Sequence, residues 1–169
     1  DYFTDRMTGI KMKWAKWRRS DPATIPCHTK AGGLYMNRTL SNHDAEKDGF
    51  ADALMLDWRG QLAETTGANI FLVIDGKIHT PTPDCFLDGI TRRSVIKLAR
   101  QRGYEVIERA IMPEELGDAS EMFVTGTAAE VTPISHIGSD YSFEVGTITK
   151  TLMTDYDDLV NGRPVAVAA

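Results

Sequence analysis

The stretch from Asn69 to Thr80, Asn-Ile-Phe-Leu-Val-Ile-Asp-Gly-Lys-Ile-His-Thr, constrains this chain more than any other. An apolar, β-branched run and a shorter mixed one meet at Asp75-Gly76, a strong short-range signal for a two-residue hairpin. The run therefore predicts two antiparallel strands, closed off by Pro81-Thr-Pro83. Ala53 to Asp57 reads as a buried strand, Trp58-Arg-Gly60 as a turn and Gln61 to Thr65 as a returning strand, so the first half is rich in antiparallel pairs.

Gly9 to Arg19 is expected to be a strand ended by the turn Ser20-Asp-Pro-Ala-Thr24. Leu34 to Asp48 is expected to be a helix stopped at Gly49, with a weak apolar stripe. Thr91 to Gln101 is the clearest helix, because Val95, Ile96, Leu98 and Ala99 share a face and Gly103 follows the end. Tyr104 to Ile111 reads as a strand, Pro113 to Leu116 as a short helix begun by proline, and Glu121 to Thr125 as a buried strand. Ile148, Leu152, Tyr156 and Leu159 give Thr147 to Asn161 a helical stripe. Strands alternating with helices define a mixed α/β domain, and 169 residues suit a single domain over 1–169.

Composition removes several function classes. No apolar run approaches the length of a membrane helix. A net charge of −5 argues against a nucleic-acid surface, and the basic cluster Lys11 to Arg19 reads instead as a strand with alternating faces. Cys27 and Cys85 make neither a disulfide framework nor a metal-ligand spacing, and His28, His43, His79 and His136 show no ligand spacing either. No metal is expected, and a reducing, cytoplasmic location is.

Four segments carry candidate chemistry. In Ile25-Pro-Cys-His-Thr-Lys30-Ala-Gly-Gly-Leu-Tyr35, a lysine precedes three small residues, so a flat ligand meets its amine with little obstruction. A lysine amine attacks a carbonyl only when neutral, and lysine imines are the usual anchor of pyridoxal phosphate. Its plain alternative is a solvated lysine beside a flexible loop. Glu64, at a strand end before Thr-Thr-Gly67, is either a carboxylate for a protonated ring nitrogen or an ordinary polar residue near a turn. Leu87-Asp88-Gly89-Ile90-Thr91-Arg92 opens the best helix, where unpaired amides and the dipole favour a phosphate, unless Asp88 or Thr91 caps it. Gly126-Thr127-Ala128-Ala129 is either an anion-receiving backbone turn with a Thr127 hydroxyl or simply a tight turn.

Taken in order, Lys30-Ala-Gly-Gly-Leu-Tyr35, Glu64-Thr-Thr-Gly-Ala-Asn69-Ile-Phe, Asp75-Gly76, Gly89-Ile-Thr-Arg92 and Gly126-Thr-Ala-Ala-Glu-Val-Thr-Pro133 resemble the large C-terminal domain of the fold-type IV pyridoxal-phosphate enzymes. The resemblance runs from about Trp14 to Leu159 and is strongest to the branched-chain amino-acid aminotransferases. It implies a mixed-sheet pseudo-barrel, transamination between a branched-chain amino acid and 2-oxoglutarate, and a homodimer in the full-length protein. It also implies residue roles. Lys30 forms the internal aldimine and moves the proton at the substrate α-carbon. Tyr35 bonds the cofactor hydroxyl and borders the substrate, Glu64 faces the pyridine nitrogen, and Leu87 packs on the ring. Ile90, Thr91 and Thr127 hold the phosphate, and Ala128 and Ala129 receive the substrate carboxylate.

Two departures stand out. Thr65, Thr66 and Ala68 replace the family's more usual Glu-Gly-Pro-Gly-Glu-Asn loop, and the N-terminal small domain of the family is missing ahead of the first strand. A fragment or a natural short form is therefore expected. D-amino-acid transamination, an aminodeoxychorismate-lyase reaction and an inactive cofactor-binding domain remain the rival functions.

Overall fold

The computed structural model describes Phe3 and residues 7–165. Nine strands and three helices follow in the order β1 (Ile10–Trp14), α1 (Met36–Lys47), β2 (Asp52–Leu56), β3 (Leu62–Thr65), β4 (Asn69–Ile74), β5 (Lys77–Pro81), α2 (Ile90–Gln101), β6 (Val106–Arg109), β7 (Glu121–Gly126), β8 (Glu130–Ile137), β9 (Tyr141–Ser142) and α3 (Thr147–Val160). Short 3-10 turns at Gly32–Tyr35 and Pro113–Asp118 precede α1 and β7. The strands run β3-β2-β1-β8-β7-β4, and Glu64 pairs with Asn69 to join β3 back to β4, so six strands close on themselves. β5 and β6 extend the sheet beyond β4, while β9 pairs with β8. Pairing is parallel at β1–β2, β1–β8 and β5–β6 and antiparallel elsewhere.

Period-two alternation explains the two cores. Ile70 and Leu72 on β4 and Met122 and Val124 on β7 turn inward, meeting Ile10, Met12, Leu54 and Ile134 inside the barrel. Their neighbours Phe71, Val73 and Phe123 turn outward under α2 and α3, where Val95, Ile96, Leu98, Ala99, Leu152 and Met153 cover them. The directly paired Phe71 and Phe123 stack with ring centroids 4.9 Å apart.

Turns form where the chemistry allows them. Asp75 and Gly76 both take positive φ, 50° and 73°, as the hairpin requires. Gly49, Gly103 and Gly162 follow the three helices in the left-handed region, and in each case the next amide reaches back to the helix, from Phe50 to Ala45, Tyr104 to Ala99 and Arg163 to Asp158.

Three sequence expectations change. β1 stops at Trp14, and the chain continues beside β2 through Ala15 N to Leu54 O (2.8 Å) and Arg19 N to Leu56 O (2.8 Å). Helix α1 starts at Met36, because Gly32–Tyr35 forms a tighter turn first. Strand β8 has no counterpart among the expected elements. Pro133 interrupts its sequence pattern, and its burial on both faces hides the alternation that marks a strand.

Helix α3 has no cap of its own. Glu121 on β7 supplies one, its carboxylate accepting from Ile148 N (3.3 Å) and Thr149 N (2.7 Å), and a Cβ on Gly146 would overlap that carboxylate. Removing a buried charged cap costs about 2 kcal/mol. Glu121→Ala is therefore expected to lower Tm by roughly 5 °C in thermal unfolding; an unchanged Tm would show that the cap contributes nothing.

Candidate active site

The outer face of the barrel carries a polar row. Glu64 pairs with Asn69, and Asn69 with Thr125, so these side chains from β3, β4 and β7 lie abreast. Above this floor opens a cleft of about 230 Å³, bordered by the start of α2, the turn after β7, the Lys30 segment and α1. Lys30, Tyr35, Glu64, Leu87, Ile90, Thr91 and Thr127 all line it. These seven residues span almost a hundred positions of sequence and meet only through the fold. Ala128 and Ala129 do not line the cleft. Ala128 is exposed in the turn that joins β7 to β8, and the Ala129 side chain packs into the barrel core.

The Lys30 segment is built from short turns rather than strands. Thr29 donates to the carbonyl of Pro26 through Oγ1 (2.9 Å), Leu34 N bonds Ala31 O (3.1 Å), and the buried Cys27 thiol donates to the Asp84 carbonyl (3.5 Å). Cys27 thus fastens the loop to the approach to α2, while Lys30 itself stays exposed at the cleft edge.

The mouth of α2 is held open. No side chain caps it: Asp88 turns to Arg92 (2.8 Å), and the Thr91 hydroxyl contacts Tyr156 Oη (3.3 Å). Arg92 is buried and also reaches Glu108 (2.8 Å) and the Pro81 carbonyl (3.1 Å). Asn69 fixes the loop from the floor, donating to Leu87 O (3.0 Å) and accepting from Gly89 N (3.3 Å). A Cβ on Gly89 would sit 2.5 Å from Asn69 Oδ1, so only glycine lets the helix start approach this closely. The first-turn amides are left facing a cleft wall, where they suit an anion.

Glu64 is the electrostatic centre. It is 3% exposed, and burial pushes its carboxyl up to about 7, against the pull of Arg38 and Arg19 and with a further push from Asp52. Arg19 Nε lies 3.2 Å from Glu64 Oε1, close enough for an ion pair but without hydrogen-bond alignment, so that oxygen remains buried without a hydrogen-bond partner. Thr125 Oγ1, on the same floor, is also unpartnered. Asp52 is likewise pushed up by burial and takes the Thr66 hydroxyl (2.5 Å). Cys85, beside this group, is driven to about 12 by burial.

Sequence reasoning missed Arg19, Arg38 and Asn69. The local pattern places Arg19 on an exposed basic strand, but that cluster disperses: Lys13 pairs with Asp44 (2.8 Å) and Asp48 (2.6 Å), whereas Arg19 turns inward to Glu64. Asn69 was legible, since it lies opposite Glu64 across a short turn. Elsewhere, Asp57, Asp84 and Cys85 bring ligand-type atoms within 4.8 Å of one another, but Arg59 already bridges both carboxylates at 2.6 Å. Among the described residues no helix is long and apolar enough to cross a membrane.

A closed mixed barrel with a lysine, a buried carboxylate and an open helix start around one cleft is the arrangement of a fold-type IV enzyme domain. The sequence pattern of class IV amino-transferases matches residues 4–137, and the chain belongs to that family. It is 38% identical over 162 residues to a branched-chain-amino-acid aminotransferase of Pseudomonas aeruginosa, covering 95% of this chain and 53% of the relative. Its fold matches the branched-chain aminotransferase of the archaeon Thermoproteus uzoniensis, solved with norvaline, at a TM-score of 0.91 and 36% identity, over 96% of this chain and 54% of that one. It also matches a T.th. branched-chain amino acid aminotransferase complexed with N-(5'-phosphopyridoxyl)-L-glutamate, at a TM-score of 0.88 and 38% identity, over 92% of this chain and 52% of that one. The chain spans about half the length of the curated relatives it matches.

Proposed function

We propose that this chain is the cofactor-binding part of a branched-chain amino-acid aminotransferase that uses pyridoxal 5'-phosphate and 2-oxoglutarate, working as a cytoplasmic homodimer. The observation that carries the reading is Glu64: a buried carboxyl with an unpartnered oxygen, in a cleft also lined by a lysine and an uncapped helix start. A substituted pyridine with a phosphate arm complements each of these features. When bound, the cofactor supplies an electron-withdrawing ring that accepts the electron pair released at the substrate α-carbon.

The chain's own residues then divide the work. Lys30 anchors the aldehyde carbon and moves the α-carbon proton. Glu64 holds the proton of the ring nitrogen, and its buried position makes that charge contact strong. Tyr35 bonds the ring hydroxyl and borders the substrate. Leu87 packs on the ring, and the amides of Ile90 and Thr91 with the Thr91 and Thr127 hydroxyls hold the phosphate. Ala128 and Ala129 contribute backbone amides to the substrate carboxylate from the turn beyond Thr127. The glutamate adduct in the structurally similar T.th. enzyme supports 2-oxoglutarate as the amino acceptor.

The test is a visible absorbance spectrum of the full-length protein carrying this chain, with pyridoxal phosphate added, followed by a product assay with leucine, valine or isoleucine and 2-oxoglutarate. A visible band and formation of glutamate are expected. No band and no glutamate would sink the proposal, and a band without glutamate together with pyruvate release from added aminodeoxychorismate would move it to a lyase.

A further inference from the structure

Helix α1 buries one long side chain. Of its twelve residues, Arg38, Ser41 and Ala45 face inward, and Arg38 is 6% exposed. Its Nε donates to the Thr66 carbonyl, its guanidinium carbon lies 4.3 Å from the centre of the Tyr35 ring, and the side chain lines the cleft. Among the described residues Arg38 forms no ion pair with a carboxylate within 4.0 Å. A buried cation without a direct counter-ion is costly unless nearby charge or a π face offsets it. The Tyr35 ring supplies the π face, and Glu64, on the same cleft, is a carboxyl that feels the charge.

We propose that Arg38 is a positioning residue that locks the Tyr35 ring and supplies the positive charge against which Glu64 works. The inference rests on the reading that a pyridine ring lies in this cleft. In that setting Arg38 joins the two ends of the ring's polar contacts: the phenol at its hydroxyl and the carboxylate at its nitrogen. Glu64 is faced by Arg19 from the segment after β1, by Arg38 from α1, by Asp52 from β2 and by the Cys85 thiol, with Lys30 and Asp88 on the cleft walls. Arg19 and Arg38 favour the carboxylate, and Asp52 and burial oppose it. Removing Arg38 leaves one cation against both, so the proton shared with the ring nitrogen moves toward Glu64. The ring then withdraws electrons less strongly. Lysine carries the charge but cannot lie flat over a ring while donating sideways, so the two halves of the role are separable.

The test compares the full-length wild-type protein with Arg38→Met and Arg38→Lys. Glu64 is read in the ligand-free protein by carboxyl ¹³C NMR, assigned with Glu64→Gln, and the ring by the pH titration of the visible band with pyridoxal phosphate bound. Arg38→Met is expected to raise the Glu64 midpoint by about one unit and to shift the band's pH profile, since losing a neighbouring opposite charge moves a carboxyl by about that much. Arg38→Lys should restore the Glu64 midpoint while leaving kcat below wild type, because the Tyr35 ring is no longer held. If Arg38→Met does not fold, Arg38→Gln drops the charge, keeps a donor for the Thr66 carbonyl and reads the same midpoint. An uncharged variant with wild-type midpoint and band profile would overturn the proposal. A wild-type protein that takes up no pyridoxal phosphate would sink the functional reading instead, and the ligand-free titration would still decide Arg38.

Discussion

Lys30→Ala is expected to leave a folded protein that binds pyridoxal phosphate only non-covalently and turns over at least roughly 10³-fold more slowly, because one side chain is asked both to anchor the cofactor and to move a proton. Lys30 is exposed and makes none of the contacts that hold its loop, so its loss spares the structure. Borohydride followed by peptide mapping checks this directly. In wild type the label belongs on Lys30; in the variant there should be none. Label on another lysine, or full turnover in Lys30→Ala, would remove the residue from the mechanism.

Glu64→Gln has the second largest expected effect, with opposite consequences for activity and stability. Glutamine is nearly isosteric but cannot hold a proton on a ring nitrogen by charge, so turnover should fall by roughly 10²-fold. Stability of the ligand-free protein moves the other way. The carboxyl titrates near 4.5 when unfolded and at about 7 when folded, so between those values the native state binds more protons. Stability therefore falls as pH rises through this window, by on the order of 3 kcal/mol once pH exceeds the folded value. Urea unfolding at pH 5 and pH 8 should show wild type losing stability and Glu64→Gln losing much less. Some slope remains in the variant, because burial pushes Asp52 in the same direction. Equal slopes in the two proteins would mean that Glu64 is not the titrating group.

Both predictions involve residues that short sequence windows point to, and the windows are informative for a physical reason. Small residues after Lys30, a glycine turn after Glu64 and a helix start after Leu87 are local features, set by what a backbone does over five to ten residues. The hairpin at Asp75-Gly76, the amphipathic face of α2 and the stripe of α3 are local in the same sense. Each follows from propensity and period, so each is readable without coordinates.

What the sequence by itself determined, then, was the turns, the helices and most strands, together with the residue types able to meet a phosphate-bearing aldehyde. Tertiary structure alone decided the rest. Closure of the barrel depends on β1 pairing with β8 and β4 with β7, contacts made between strands far apart in sequence, while the pairing of Glu64 with Asn69 across a short turn joins β3 to β4. The environment of Glu64 depends on Arg19 and Arg38, which arrive from a loop and a helix whose local sequence reads as surface. A residue's type fixes which charge it can carry; burial and the charges brought beside it by distant segments fix what that charge can do.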